Sequence, residues 1–494
     1  MENAADRRGP IAAGAAQYVW LGIALLVGGL IRFWNLTGPS LFVDEGFVFH
    51  IAGQDPRTIL NSVAYGDFHP PLFYLMTHYL MRALQWPLWD YRYITAAISL
   101  AGILATWAIA RRSFGKTAAA IAALAVALSP ALITWDRLYR MYAVLVALTA
   151  LSWWLLLKCG DSRTERRWLW WSLYGAAAIV LPYLHYIGIL VIASQFAYTL
   201  TKAKTLRPAV FVSLAALLAL APWAWAMRIQ YTQAHYALRL DSPEFSGMSV
   251  VPGLVAYGIP ASWTNVPHFD LVVGCLALTA LAGGVYLGRH TILPFWLAPI
   301  VIQTFLSFAT GINLLLPRYM YVYIPALCIC IGCIATFLLQ TKYRVAAVAL
   351  VSGILGVAAI GAYDSVFVPY YQFPDWYQIN ALLLGNENKN DLIVLVQGAE
   401  YWVVKDFSGF RDHAIAVALV PTDIDPIIKW LEKNPQRRVW YIENQPGFTD
   451  NKRRIEQALG RTRPRLGTWQ QQRLDEEDVV DVFLYGFQKG SHRH

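Results

Sequence analysis

Charged residues are scarce in this chain, and their scarcity narrows the fold class before any motif is considered. Of the 494 residues, 14% are charged and 57% are hydrophobic, whereas a soluble domain normally carries about 25% charged residues. Apolar runs of about 18 residues, each long enough to cross a bilayer core of about 30 Å, recur from Tyr18 onward. The composition therefore predicts a polytopic α-helical membrane protein.

Other absences exclude further classes of protein. The net charge is +9, but no basic face or reader motif for nucleic acid accompanies it, so we interpret the charge as membrane topology. The sequence shows no internal repeat, and its C-terminal part has no Gly-rich phosphate loop. Cysteines number five, and no histidine or carboxylate accompanies the run from Cys328 to Cys333, so we interpret it as buried apolar cysteine.

Twelve apolar runs are candidate spans, at about 16–34, 72–86, 93–110, 117–134, 141–157, 168–182, 184–200, 209–226, 269–287, 291–309, 320–339 and 345–366. Lys and Arg collect in cytoplasmic loops. The basic connections of this chain all lie on the cytoplasmic side of the membrane only if one apolar run before residue 93 does not cross it. The run at 72–86 is the shortest and begins after two prolines. We therefore predict eleven spans, an inside N-terminus, and an outer loop at 35–92 with juxtamembrane helices near 44–53, 56–64 and 71–86.

The composition changes after about residue 367, where charged residues become frequent and apolar runs shorten. Strand patterns at 391–397, 414–420 and 438–443 alternate with helical patterns at 399–408, 423–434 and 449–459. Such alternation is typical of a small α/β domain with a mostly parallel sheet. The segments 465–473 and 479–488 are predicted to close it as an antiparallel pair. We thus predict a membrane domain at 1–367 and a soluble domain at 368–494, on the external side.

Asp44 and Glu45 follow an apolar approach at the start of the predicted outer loop. A partly desolvated carboxylate there can act as a general base towards a hydroxyl, because burial raises its pKa. The alternative is a helix N-terminus, where acidic side chains interact favourably with the helix dipole. The dipeptide alone leaves both interpretations open.

Asp67 and His69 precede two prolines that can start a helix. A histidine at this place can bind a phosphate oxygen or polarise a hydroxyl. The alternative is a turn and cap that carries a surface histidine.

Arg137 and Arg140 belong to the next motif, which runs from Trp135 to Tyr142 and also contains Tyr139. Their i,i+3 spacing predicts one helical face, and two guanidinium groups suit the oxygens of a phosphate. The alternative is an i,i+4 ion pair between Asp136 and Arg140.

Two more pairs lie at the predicted outer face. Arg318 and Tyr319 begin a span, where they indicate either a substrate site or a snorkelling arginine within an aromatic belt. His185 and Tyr186 lie in a tight turn that allows the same two interpretations. A second long outer connection, predicted at about 227–268, adds phosphate-binding and sugar-stacking groups without a distinctive spacing: Arg228, Tyr231, His235, Tyr236, Arg239, Asp241 and Glu244.

These motifs occur together in a definite order: Asp44-Glu45 after the first span, His69-Pro70-Pro71-Leu72, Arg140-Met-Tyr142 after Ser129-Pro130, His185-Tyr186, and Pro317-Arg318-Tyr319. Over roughly residues 16–366, the chain resembles the bacterial membrane glycosyltransferases of the GT-C fold. These are related to the protein O-mannosyltransferases and to the aminoarabinose transferase of lipid A.

The resemblance implies a polyprenyl-phosphate sugar donor and an acceptor hydroxyl of a lipid, glycan or protein, at the outer face of the cell inner (plasma) membrane. It implies that Asp44 is the catalytic carboxylate. His69 stands where the aminoarabinose transferase has a lysine that binds the donor phosphate, and Arg318 and Tyr319 match the donor-phosphate region. We expect direct displacement with inversion, with the charge of the leaving phosphate held by Arg137, Arg140 or Arg318.

The main alternative function is a transporter or flippase of a lipid-linked sugar. Such a protein should show repeated halves, broken helices and polar groups near the membrane midplane. The middles of the predicted spans are nearly free of charge, which favours the enzyme. A divalent metal ion stays open as a cofactor, because no spacing of acidic residues or histidines demands one.

Overall fold

The computed structural model describes residues 10–161, 163, 165–200, 202–237, 283, 286–287, 298–315, 317–367, 375–386, 388–396, 401–405, 407–411, 413–418, 421–444, 450, 452–470 and 480–486. Most of the predicted run at 269–287, the start of that at 291–309, and Arg239, Asp241 and Glu244 lie outside these residues. So do the side chains of His235 and Tyr236.

The chain forms two compact units. The first comprises Met1–Leu36 and Ile51–Phe367, and the second comprises Thr37–His50 and Val368–His494. The division after Phe367 falls where the composition changes. Residues 37–50, which the sequence placed in the membrane domain, group instead with the C-terminal residues. Within that unit, the backbone N–H of Trp376 donates to Ser40 Oγ over 3.4 Å.

Helices make up the described part of the membrane region. They are α1 (Pro10–Phe33), α2 (Val43–Ala52), α3 (Pro56–Gly66), α4 (Leu72–Leu84), α5 (Arg92–Phe114), α6 (Lys116–Leu128), α7 (Pro130–Asp136), α8 (Met141–Cys159), α9 (Arg167–Leu184), α10 (Ile187–Leu200), α11 (Ala203–Leu220), α12 (Ala224–Ala237), α13 (Ala298–Thr310), α14 (Pro317–Met320), α15 (Ile324–Leu339) and α16 (Arg344–Phe367). Helices α2, α3 and α4 occupy the positions predicted for the juxtamembrane helices.

Length and composition identify five of the described helical segments as candidate spans: Leu88–Phe114, Met141–Cys159, Lys204–Ala234, Arg318–Leu339 and Arg344–Phe367. A sixth is formed if the bent pair Lys116–Leu128 and Pro130–Asp136 counts as one span, and three shorter apolar helices are Tyr18–Phe33, Ile187–Leu200 and Pro299–Thr310. The prediction of eleven spans stays a prediction. Helix α4 has 13 residues, which at 1.5 Å per residue extend only about 20 Å, so it is too short to cross.

The bend between α6 and α7 has a local cause. Pro130 lacks a backbone N–H and cannot continue α6, and Ser129 Oγ accepts a hydrogen bond from the Leu132 N–H over 3.5 Å. The two helices meet at 55°. A buried ion pair between Arg32 Nε and Asp136 Oδ2, 2.8 Å apart, joins the end of α7 to α1.

The C-terminal unit contains a small α/β domain. Its helices are α17 (Trp376–Asn386), α18 (Tyr401–Val404), α19 (Ser408–Arg411), α20 (Ile424–Glu432) and α21 (Arg454–Thr462), and its strands are β1 (Leu392–Val396), β2 (Ala414–Ala418), β3 (Val439–Asn444), β4 (Arg465–Gln470) and β5 (Val480–Tyr485).

The described strands form one sheet in the order β2-β1-β3-β5-β4. Strand β1 pairs in parallel with β2 and β3, whereas β5 pairs antiparallel with β3 and β4. All five residues of β1 are buried, as expected for a central strand covered on both faces. The predicted strands, the parallel pairing and the antiparallel closing pair are confirmed, although the predicted helix at 399–408 is divided into α18 and α19.

Candidate active site

Three links between helices of the first unit bring polar side chains together. The α3–α4 link carries Asp67 and His69, the α7–α8 link carries Arg140, and the α9–α10 link carries His185. All four residues are buried. With Arg318 at the start of α14, whose charge acts on His185, these residues form what we call the polar cluster.

Asp67 is the acceptor at one end of the polar cluster. Its Oδ1 accepts hydrogen bonds from His69 Nδ1 (2.9 Å) and the Phe68 N–H (2.7 Å), and its Oδ2 accepts one from the Tyr74 hydroxyl. Burial raises the pKa of Asp67, but the charge and hydrogen bond of His69, the charge of Arg140 and the Tyr74 hydrogen bond outweigh it and lower the pKa to about 2. Asp67 is therefore ionised at neutral pH, and an ionised carboxylate can only accept.

This carboxylate determines which nitrogen of His69 is available. Because Asp67 accepts, His69 Nδ1 must carry a proton. The other ring nitrogen, Nε2, is buried and has no hydrogen-bond partner among the described residues. Nε2 is thus the ring nitrogen of His69 that can contact a ligand.

In the His185 ring, the nitrogen that donates and the nitrogen that accepts are the reverse of those in His69. Its Nδ1 accepts a hydrogen bond from the Ile187 backbone N–H over 3.1 Å, so in the neutral ring the proton resides on Nε2. Burial lowers the pKa of His185 well below its usual value, and the charges of His69, Arg140 and Arg318 lower it further. His185 is therefore a neutral donor, and its Nε2 is also buried without a hydrogen-bond partner in the described part of the chain.

Local backbone geometry places His185. Helix α9 ends at Leu184 and α10 begins at Ile187, so the turn between them is very short. A Cβ on Gly188 would clash with the backbone of Leu181. The close approach of the two helices thus requires glycine at this position.

Aromatic rings line the polar cluster. The His185 ring lies 5.2 Å from that of His69 and 5.0 Å from that of Tyr319, and both contacts are edge-on. The guanidinium carbon of Arg318 lies 5.8 Å from the centre of the Tyr319 ring. Tyr142 contacts His185 at 5.9 Å. His69, His185, Tyr142 and Tyr319 are all buried, and charges attract an anion more strongly in a buried environment than in water.

A bridge that the sequence analysis missed joins the two histidine segments. Tyr186 donates its hydroxyl hydrogen to Gln230 Oε1 and accepts one from Trp223 Nε1 (2.8 Å). Gln230 Nε2 donates to the carbonyl oxygens of Val63 and His69, each at 2.9 Å. Gln230 lies on α12, which occupies the first part of the outer connection predicted at 227–268 and continues to Ala237. A single glutamine in a helix gave no signal for this role.

Asp44 and Glu45 lie in the second unit, in the first turn of α2. Glu45 is fully buried, and its Oε2 accepts a hydrogen bond from the Phe42 N–H over 2.8 Å. This is the contact that a glutamate makes in a capping box, and it agrees with the helix N-terminus interpretation for Glu45. Asp44 is only partly buried.

The comparisons with known proteins address the fold. Residues 68–227 match the family model of dolichyl-phosphate-mannose-protein mannosyltransferase. ArnT from Cupriavidus metallidurans bound to undecaprenyl phosphate is 15% identical over 94% of this chain and 98% of its own, with a TM-score of 0.54. The apo oligosaccharyltransferase from Archaeoglobus fulgidus is 11% identical over 87% of this chain and 70% of its own, also with a TM-score of 0.54. No curated protein sequence matches the chain.

The chain has the GT-C fold. The predicted fold class is therefore confirmed, as is the resemblance to the protein O-mannosyltransferases and to ArnT. The matched family range contains His69, Arg140 and His185, whereas Asp44, Asp67 and Arg318 lie outside it.

Within this GT-C fold, two predicted site residues make structural contacts. Arg137 Nη1 donates to the carbonyl oxygens of Ile31 (2.8 Å), Arg32 (3.2 Å) and Trp34 (2.8 Å), at the end of α1. The Tyr139 hydroxyl lies 3.2 Å from Thr77 Oγ1 of α4. These contacts join α1 and α4 to the α7–α8 link.

The prediction that Arg137 and Arg140 share a helical face is wrong. Helix α7 ends at Asp136 and α8 begins at Met141, so both arginines lie in the link, where the i,i+3 relation of a helix does not hold. The alternative pair of Asp136 with Arg140 is replaced by the ion pair of Asp136 with Arg32.

A metal site is not apparent in the described part of this GT-C fold. No three side chains of His, Cys, Asp or Glu there come close enough to hold an ion. The described cysteines are free and buried, in agreement with the interpretation of Cys328, Cys330 and Cys333 as apolar residues.

Proposed function

We propose that this protein transfers a sugar from a polyprenyl-phosphate donor to a hydroxyl of a lipid, glycan or protein, at the outer face of the inner membrane. The observation that carries the proposal is the pair of buried Nε2 atoms of His69 and His185, which lack partners among the described residues, together with the nearby charges of Arg140 and Arg318. An unsatisfied buried polar group costs about 1–3 kcal/mol. A phosphate that formed a hydrogen bond with each of the two Nε2 atoms would remove this cost for both of them.

The polar cluster suits the leaving group of the reaction. As the bond between the anomeric carbon and the phosphate oxygen breaks, negative charge increases on the phosphate. Arg140 and Arg318 would hold this charge, while the neutral His185 would donate a hydrogen bond from Nε2. The solved ArnT structure contains undecaprenyl phosphate, a lipid phosphate of the class proposed here.

We assign the general base to Asp44, following the family motif. Its carboxylate would take the proton of the acceptor hydroxyl as the acceptor oxygen attacks the anomeric carbon from the side opposite the phosphate, which inverts the configuration. Asp44 is only partly buried, whereas its neighbour Glu45 is buried. Glu45 would support it by capping α2 through the Phe42 N–H.

Transfer of radiolabelled sugar from a polyprenyl-phosphate donor tests both the proposed activity and the role of Asp44 as the general base. The full chain, purified in detergent, would be compared with Asp44→Asn and with the control Asp55→Asn. Asp55 caps α3 by accepting from the N–H groups of Arg57 and Thr58, a role that asparagine can take over. We expect turnover in the wild type and in Asp55→Asn, and a loss of at least a hundredfold in Asp44→Asn, because general bases typically contribute about 10²–10⁴-fold.

The transporter alternative has one observation in its favour, which is the break between α6 and α7. Ser129-Pro130 explains that break locally. Undiminished turnover in Asp44→Asn would refute the assigned base. Absence of transfer from every polyprenyl-phosphate sugar, together with movement of the intact donor across vesicles, would instead establish the transporter.

A further inference from the structure

Gln230 is a buried amide whose hydrogen bonds all reach other parts of the first unit. It is 2% exposed, although it lies on α12 beside the exposed Tyr231. Its Oε1 accepts from the Tyr186 hydroxyl, and its two amide hydrogens go to the carbonyl oxygens of Val63 and His69. Both donors of the side chain are therefore used on backbone atoms.

Two of these three partners belong to the segments that carry the unpartnered imidazoles. One is the carbonyl of His69 itself, and the other is the hydroxyl of Tyr186, the residue after His185. The rings of His69 and His185 lie 5.2 Å apart. One amide thus connects the two backbone segments whose separation sets the distance between the two Nε2 atoms.

The third partner indicates a purely structural alternative. Val63 lies in the last turn of α3, where carbonyl groups lack partners within the helix, so Gln230 also caps this helix. Gln233 makes the same kind of contact one turn later, donating from Nε2 to the Tyr65 carbonyl over 2.6 Å. The hydrogen bond of Gln233 goes to α3 and not to the His69 or His185 segments, so Gln233 offers a matched control for capping alone.

We propose that Gln230 is a positioning residue of the phosphate site, which holds the His69 and His185 segments at the separation that lets both imidazoles bind one phosphate group. The inference rests on the proposed function. Gln230 would not touch the phosphate. It would act through His69 on one side and through Tyr186 on the other.

The test is binding of undecaprenyl phosphate to the full-length protein in detergent, alongside sugar transfer. Gln230→Met keeps an unbranched side chain of similar size and removes all three hydrogen bonds. We expect it to weaken binding about tenfold, which corresponds to about 1.4 kcal/mol, while Gln233→Met stays within twofold of the wild type. Gln195→Met adds a control for a buried glutamine, because Gln195 accepts from Tyr174 (3.1 Å) and donates to Ser152 (2.7 Å).

A double-mutant cycle with His69→Ala separates positioning from general stability. If Gln230 acts through His69, Gln230→Met should have a much smaller effect on binding in the His69→Ala background than in the wild type. Gln230→Glu provides a second variant, since it can still accept from Tyr186 but loses both donors, and it should weaken binding as well.

The outcomes distinguish this inference from the proposed function. Wild-type protein that neither binds undecaprenyl phosphate nor transfers sugar would overturn both. Wild-type binding with unaltered affinity in Gln230→Met would overturn the positioning role alone. So would equal losses in Gln230→Met and Gln233→Met, or the same loss with and without His69.

Discussion

Replacement of Asp67 by asparagine should lower the stability of the protein in a pH-dependent way. Asp67 is buried and accepts from His69, Phe68 and Tyr74. Its pKa falls from the usual 3.8 to about 2 in the folded protein. One pKa unit corresponds to 1.36 kcal/mol, so the ionised carboxylate contributes about 2 kcal/mol to the free energy of unfolding at neutral pH.

The sign of the pH dependence follows from the direction of that shift. Because the pKa of Asp67 is lower in the folded state, folding favours the ionised form. The contribution is complete above about pH 4 and is lost as the pH falls towards 2. Asparagine has no such titration, so the difference between the wild type and Asp67→Asn should shrink in this window.

Thermal unfolding in detergent, followed by circular dichroism at pH 7 and at pH 3, measures this difference. Tyr74→Phe is a useful companion, because it removes one hydrogen bond, worth about 1 kcal/mol, and keeps the charge of Asp67. A stability of Asp67→Asn equal to that of the wild type at pH 7 would refute the reasoning. An equally large difference at pH 3 would show that the charge is not its source.

Two further predictions concern the polar cluster and its support. His185→Gln can place an amide donor near the Nε2 position, whereas His185→Asn cannot. Binding of undecaprenyl phosphate should therefore fall more in the asparagine variant. Equal binding by both variants would contradict donation from Nε2. Asp136→Leu should lower the free energy of unfolding by about 3–5 kcal/mol, because it leaves the buried Arg32 without its carboxylate. Chemical denaturation should show that adding Arg32→Met recovers part of this free energy. If nothing is recovered, the unpaired charge of Arg32 is not the source of the destabilisation.

The C-terminal sheet shows how much of this fold could be predicted from sequence. Strand β1 is a short apolar run covered on both faces, and such runs alternate with amphipathic helices. Pattern and length are local properties, so they located the strands and the parallel pairing. The same is true of α3 and α4, whose starts are marked by Asp55-Pro56 and by Pro70-Pro71.

The candidate site was predictable as a set of motifs, but not as an arrangement. His69, Arg140 and His185 were recognised because ionisable residues beside apolar spans are costly and therefore informative. Arg137 carries the same charge as Arg140, yet its guanidinium binds the carbonyl oxygens at the end of α1. Only the path of the chain after the bend at Pro130 separates these two roles.

By itself, the sequence determined that this is a polytopic membrane protein with a C-terminal α/β domain, because hydropathy and periodicity depend on neighbouring residues. The tertiary structure decided which atoms are available for a ligand. Asp67 and the Ile187 N–H, each two residues from its histidine, select opposite tautomers of His69 and His185 through the folded geometry of the links between helices. Gln230 joins the two histidine segments by hydrogen bonds to His69, 161 residues away, and to Tyr186, 44 residues away. Hydrogen bonds between residues so distant in sequence leave no local pattern, and their geometry exists only once the helices have packed.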